Sequence, residues 1–255
     1  MKCIAVPVHF TTRSLHAARY AAELAVKLDA ELRLLFVNPL PVRQPLTPPV
    51  IEEIRHSGFE SLRSLREQLQ ERAGGKLRIH TDQQNGKKEE CIRAFCKEVK
   101  PFLVVVGGPI DLRLSCPVLS VPENAAFNGI NSVVISCDRD DILSGMADHL
   151  PFLTELYARL GCRFELVHII RNGEASISQA IREYREWKSR PVFFPEKLNF
   201  LRQDEPAEGI SEYLRCHLAD WLMVLPKTHS WIEFHDSQAK NISGTCKLPV
   251  LSVYE

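Results

Sequence analysis

The sequence predicts an α/β protein built from two open, mostly parallel five-stranded sheets flanked by helices and arranged as a pseudo-twofold pair. Three observations carry this. Apolar runs of strand length alternate with helical stretches along the chain, the pattern of parallel sheets covered on both faces. Runs such as Val104-Val105-Val106 and Met223-Val224-Leu225 are apolar throughout, as strands buried on both sides must be. The chain also repeats itself: residues 116–123 read CPVLSVPE and residues 248–255 read LPVLSVYE, identical at six positions. Each copy follows another matched run, FLVVVG at 102–107 and WLMVLP at 221–226. A repeat that closes two halves of similar length marks an internal duplication.

The first half opens with a strand at Ile4–Val8. A polar run, His9-Phe10-Thr11-Thr12, leads into a helix over 13–28 whose Leu15, Ala18, Ala21, Ala22, Ala25 and Leu28 share one face, with Thr12 as its cap. Leu32–Val37 is the second strand. Prolines punctuate the loop that follows, and a long charged helix runs over 50–72 until Gly74-Gly75 stops it. Leu77–His80 is the third strand, Gly86–Val99 a helix, Phe102–Val106 the fourth strand and Pro117–Val121 the fifth.

The second half repeats this order. Strands are expected at 132–137, 163–169, near 192–194, at 221–225 and at 249–253, with helices over 141–160, 174–188 and 207–218. Pro151 falls inside the first of these helices and predicts a kink there. The domains are residues 1–123 and 132–255, joined by a linker, 124–131, too short to hold them far apart. The repeated PVLSV is an apolar strand at a sheet edge, where open backbone groups need a partner. It predicts that the two halves pair through their fifth strands.

Composition narrows the function classes. Lys plus Arg and Asp plus Glu each number 32, so the formal net charge is zero. No long-range field draws the chain to nucleic acid or to an anionic membrane. The N-terminal run is too short for a secretion signal and no apolar stretch is long enough to span a bilayer, so a cytoplasmic protein is expected. The eight cysteines contain no CxxC and sit mostly in hydrophobic segments, which reads as reduced, buried thiols rather than a disulfide frame or a zinc site.

The chain resembles a tandem universal stress protein, two such domains fused in one polypeptide. The likeness covers nearly the whole length. IAVPVHFTTRSLHAARYAAELAVKLDAELRLLFV is similar to that family's first strand, helix and second strand. ADWLMVLPKTHSWIEFHDSQAKNISGTCKLPVLSV is similar to its fourth strand, loop, last helix and fifth strand. The resemblance implies an open five-stranded α/β fold, pairing through fifth strands and, in some members, binding of ATP or a related adenine nucleotide. Those members use an Asp after strand one and a loop after strand four, Gly-x2-Gly-x9-Gly-Ser/Thr. Its glycines let backbone amides approach phosphate.

Carried over residue by residue, the motif is degenerate in both halves. In the first, His9 stands at the Asp position, and an imidazole is no ribose-accepting carboxylate. Gly107 and Gly108 follow strand four, yet only nine residues separate Gly107 from Pro117, against twenty-two between Pro226 and Pro249 in the second half. The first half therefore lacks room for the usual phosphate loop and helix. In the second half the Asp position is kept as Asp138. Lys227 and Ser230 replace the first two glycines, Asp236 the third, and Ser237 holds the hydroxyl position. An aspartate at a helix start occupies the amides that phosphate would need, and repels it.

No Ser elbow, HExxH or Walker lysine motif is present, so no enzyme is expected. The leading expectation is a non-catalytic stress-response or regulatory protein that acts through an unidentified protein partner or through ligand sensing, with no required cofactor. The alternative is adenine-nucleotide binding in the second domain by Asp138, Lys227, Ser230 and Ser237. A third reading leaves an uncharged or smaller ligand in the crevice. The charged helix over 50–72 is a candidate partner surface whose plainer role is a solvated face.

Overall fold

A computed structural model of the protein describes residues 2–38, 47–108, 114–137, 149–170, 177–188, 195–202, 206–225 and 248–253. The chain divides into two units, Met1–Phe127 and Asn128–Glu255. The first unit contains β1 (Lys2–Val8), α1 (Thr12–Leu28), β2 (Ala30–Asn38), α2 (Pro48–Arg72), β3 (Ile79–Asn85), α3 (Lys88–Val99), β4 (Leu103–Val106) and β5 (Val118–Ser120). Its strands lie in the order β3-β2-β1-β4-β5, and every neighbouring pair is parallel. The second unit contains β6 (Ser132–Cys137), α4 (Leu150–Leu160), β7 (Arg163–Ile170), α5 (Ile177–Lys188), β8 (Lys197–Arg202), α6 (Pro206–Cys216), β9 (Trp221–Val224) and β10 (Val250–Ser252). Its order is β10-β9-β6-β7-β8, again parallel throughout. The expected α/β class, with five strands and flanking helices in each half, is what the protein has.

The central strands are the most apolar because both faces are covered. Ile4, Val6, Leu32, Leu34, Leu103, Val104 and Val105 are fully buried in the first unit, as are Val133, Ile135, Trp221 and Met223 in the second. Helix α1 buries Ala17, Ala18, Ala21, Ala22 and Ala25, side chains short enough to let it lie close on the sheet. Its cap is Thr11 rather than Thr12. Thr11 is extended and its side chain accepts from the Ser14 amide, a reach that fits the third helical residue. Residues 123–127 fold back on α1: Arg13 meets Glu123, the His16 ring Nε2 donates to the Ala125 carbonyl at 2.8 Å, and Tyr20 stands edge-on to Phe127.

Several expected boundaries shift for identifiable reasons. The third strand is Ile79–Asn85, not Leu77–His80, because its polar residues are paired across the ladder. Arg33 holds Asp82 through two bonds of 3.0 and 3.2 Å, and Asn38 donates to Asn85 at 2.7 Å. Helix α3 starts at Lys88, two residues beyond the expected Gly86. In the second unit residues 192–194, where a strand is expected, lie outside the described residues; the described strand there is Lys197–Arg202, an alternating strand that pairs along β7. Pro151 lies in the first turn of α4, where its missing N–H costs nothing. Residues 141–148, the expected start of that helix, lie outside the described residues. Helix α2 buries only Gly58, Leu62, Leu65 and Leu69. The rest of its surface carries exposed pairs such as Arg63–Glu67, as a solvated face does.

Candidate functional site

In an open parallel sheet, ligands meet the carboxyl ends of the strands where the order reverses. In the first unit the reversal falls between β1 and β4. His9 follows β1 directly, and Gly107 follows β4. This is the place where the sequence sets the degenerate motif of the first half.

The structure seals that place from within. The Ser14 hydroxyl accepts from the His9 and Thr11 amides, both at 3.2 Å, and donates to the Thr11 carbonyl at 3.1 Å. One proton and two lone pairs are thereby all in use. The Ser14 amide is itself taken by Thr11 Oγ1. The amides of His9, Thr11 and Ser14 are thus engaged by the chain's own hydroxyls. Gly107 closes the other side. A Cβ there would overlap the Arg13 carbonyl and come within 3.0 Å of the Ser14 nitrogen, so β4 ends in direct contact with the first turn of α1.

What remains open lies beside β2 and β3. A pocket of about 300 Å³ is lined by His9, Phe10, Phe36, Val37, Gly86 and Lys88. Phe10 sits at φ 55, a left-handed backbone that costs a bulky residue about 1–3 kcal/mol. Its ring packs on Phe36, with centroids 5.0 Å apart, which offsets part of that cost. Burial, reinforced by the Lys88 ammonium, lowers the His9 pKa to about 4. At neutral pH the ring is therefore uncharged, with one donor and one acceptor.

A second pocket of about 380 Å³ is lined by the same two rings together with Asn38, Ser57 and Gly58. Asn38 is fully buried at the end of β2, and its amide oxygen accepts from Gln83 at 3.2 Å. Helix α2 passes this cluster at Gly58, where a Cβ would meet Gln83 Nε2 and Phe36 Cε1 at 2.6 Å. Sequence reasoning missed Phe10, Phe36 and Asn38. The available signals were two aromatics and a carboxamide at the very ends of strands.

In the second unit, Asp138, Lys227, Ser230 and Ser237 all lie outside the described residues, as do Pro226, His229, His235 and Asp236. The strand ends leading to them are described. Ser136 is fully buried on β6, and its hydroxyl has no hydrogen-bond partner among the described residues. His168 is buried on β7 and stands edge-on to Phe200. Register pairs Ser136 with Val167 and Cys137 with His168, which places Ser136 and His168 on opposite faces of the sheet. They cannot form a nucleophile–base pair.

The polar network that is complete in this unit lies at the other end of the strands. Tyr213 on α6 donates to Glu165 at 3.0 Å and accepts from Asn199 at 2.9 Å, while Lys197 stands 3.5 Å from the same carboxylate. Burial, and then the bond to Glu165, push the Tyr213 phenol well above its usual pKa. Each of its groups is satisfied, the mark of a structural cluster. Among the described residues no group of three or more His, Cys, Asp or Glu is placed to hold a metal, and no helix is long and apolar enough to cross a membrane.

Comparison with known proteins agrees with this fold. The sequence model of the Universal stress protein family matches residues 1–109. No curated protein matches the sequence. A universal stress protein from Archaeoglobus fulgidus shares the fold with a TM-score of 0.75 at 14% identity, over 99% of this chain and 98% of its own. A protein of unknown function from Pseudomonas aeruginosa PAO1 aligns with a TM-score of 0.60 at 16% identity, over 100% of this chain and 92% of its own. The cytoplasmic domain of a prokaryotic cation chloride cotransporter aligns with a TM-score of 0.50 at 11% identity, over 98% and 94%. At these identities the solved structures establish the fold alone, and one fold serves proteins of different kinds. At superfamily level the chain is allied to the universal stress proteins: the family match spans residues 1–109, and the fold of the whole chain is the one that the Archaeoglobus protein has.

Proposed function

We propose that the protein is a non-catalytic stress-response or regulatory protein of the cytoplasm, acting through protein interaction or through sensing of a ligand other than a nucleoside triphosphate. The supporting observation is the closure at the first switch point, where Ser14 and Thr11 engage the His9, Thr11 and Ser14 amides and Gly107 packs directly on the Arg13 backbone. The neighbouring pocket, at about 300 Å³, is at the small end for ligand sites and offers two aromatic rings, a neutral imidazole and one ammonium. That set suits a small planar guest better than a triphosphate.

In this reading residues 1–123 form a universal-stress-like domain with a shortened loop and helix region, and residues 132–255 form the second such domain, joined through 124–131. The repeated PVLSV supports pairing of the two through their fifth strands. No cofactor is required. Adenine-nucleotide binding in the second domain is the competing reading, favoured by Asp138 at the family's acidic position. Asp138 would accept from ribose or adenine, and Lys227, Ser230 and Ser237 would stand near phosphate.

Native mass spectrometry of freshly purified protein tests the proposal. A bound small molecule without phosphate, or an empty chain that captures a partner protein, is the expected result. Stoichiometric co-purified ATP or AMP would overturn it.

A further inference from the structure

The pocket of about 300 Å³ beside β2 and β3 holds two polar side chains that the fold leaves unused. Neither nitrogen of the His9 ring bonds to another group among the described residues, although the His9 amide is held by Ser14. The Lys88 ammonium makes no ion pair there, whereas its neighbour Lys87 is held by Glu90 at 3.1 Å. Among the described residues no carboxylate lines the pocket. Its remaining side chains are Phe10, Phe36 and Val37, and Gly86 adds backbone alone. One unbalanced positive charge therefore stands beside an apolar, aromatic wall.

The two rings set the shape. Their planes cross at 56° with centroids 5.0 Å apart, so they form a corner rather than a stack. A flat ring in such a corner meets one neighbour by its face and the other by its edge. Phe10 is held there by a left-handed backbone at φ 55, and strain of this kind in a bulky residue clusters at ligand sites.

We propose that this pocket binds a small aromatic carboxylate, its ring in the Phe10–Phe36 corner and its carboxylate on the Lys88 ammonium and the His9 ring N–H. This rests on the reading above, that the ligand is no nucleoside triphosphate, and names the ligand's class. A carboxylate carries one charge on two oxygens, which one ammonium and one neutral imidazole match. A phosphate monoester brings about two charges and three acceptor oxygens, more than these two groups balance. At neutral pH the His9 ring is uncharged, so Lys88 supplies the formal charge at the pocket. A volume at the small end for ligand sites suits a single ring better than a nucleotide.

Titration of benzoate into the full, isotope-labelled chain, read by amide resonances, tests this. Saturable shifts of the Val37 and Gly86 amides are expected at millimolar benzoate or below. Benzamide has the same shape without the charge and is expected to bind about fivefold more weakly. Cyclohexanecarboxylate, charged but not flat, is expected to bind about threefold more weakly than benzoate. Lys88 is exposed, and Lys88→Gln is expected to weaken benzoate about fivefold. Benzamide binding unchanged in that variant would show its pocket to be intact and place the loss on the charge. Benzoate that moves neither amide, or benzamide that binds wild type as tightly, overturns the proposal and leaves the wider reading standing. ATP or AMP that shifts those amides at micromolar concentration overturns both. The wild-type titration needs no variant to fold.

Discussion

Gly107, at the end of β4, lies directly against the backbone of Arg13 in the first turn of α1, with no space for a side chain between them. This contact joins the end of β4 to the start of α1 at the first unit's switch point. Gly107→Ala is expected to destabilise the protein by about 1–3 kcal/mol, because the neighbour is backbone and cannot swing aside. Chemical denaturation of the variant beside the wild type measures it. An unchanged midpoint would mean that β4 and α1 are not in contact.

Ser14 is the second half of the same closure. Removing its hydroxyl in Ser14→Ala leaves the His9 and Thr11 amides without their acceptor. A loss of about 1–2 kcal/mol follows from the lost capping and buried hydrogen bonds. Faster amide exchange at His9 and Thr11 in the variant would place the loss at the start of α1.

His9 gives the fold a dependence on acid. In the unfolded chain it titrates near 6.5, and in the folded protein near 4. Between those values the unfolded state binds more protons, so stability falls as pH falls from about 6.5 toward about 4. His9→Gln, which cannot charge, is expected to show a shallower decline across that window. Parallel slopes for the two proteins, measured by urea melts at stepped pH, would contradict the assignment.

In the second unit Tyr213→Phe deletes the hydroxyl that α6 donates to Glu165 and leaves Asn199 without its acceptor on that helix. The expected cost is about 1–3 kcal/mol, dominated by the buried carboxylate left short of a partner. Thermal unfolding reads it, and a variant as stable as the wild type would mean that solvent satisfies Glu165.

The strands that were legible in the sequence are those buried on both faces. Continuous apolar runs of four residues, such as Leu103–Val106 and Trp221–Val224, are too short for buried helices and too apolar for loops. The edge strands were not legible. Ile79–Asn85 reads IHTDQQN and is held by side-chain pairs to β2, such as Arg33–Asp82, that periodicity cannot reveal. Lys197–Arg202 alternates polar and apolar residues, a weaker signal than the more apolar Val192-Phe193-Phe194 just before it. At the site, counting back from PVLSV exposed the short loop after Gly107. It did not expose Phe10, whose left-handed backbone turns its ring onto Phe36, nor the saturation of the Ser14 hydroxyl. Both depend on three-dimensional closure between residues that look ordinary in a row.

With its first switch point closed, this chain is not expected to work as a nucleotide sensor of the usual kind. Isothermal calorimetry of ATP into nucleotide-free protein decides the matter. No tight binding is expected, with heats no larger than dilution at micromolar ligand. Micromolar binding that disappears in Asp138→Ala would refute this reading and would locate the site in the second half.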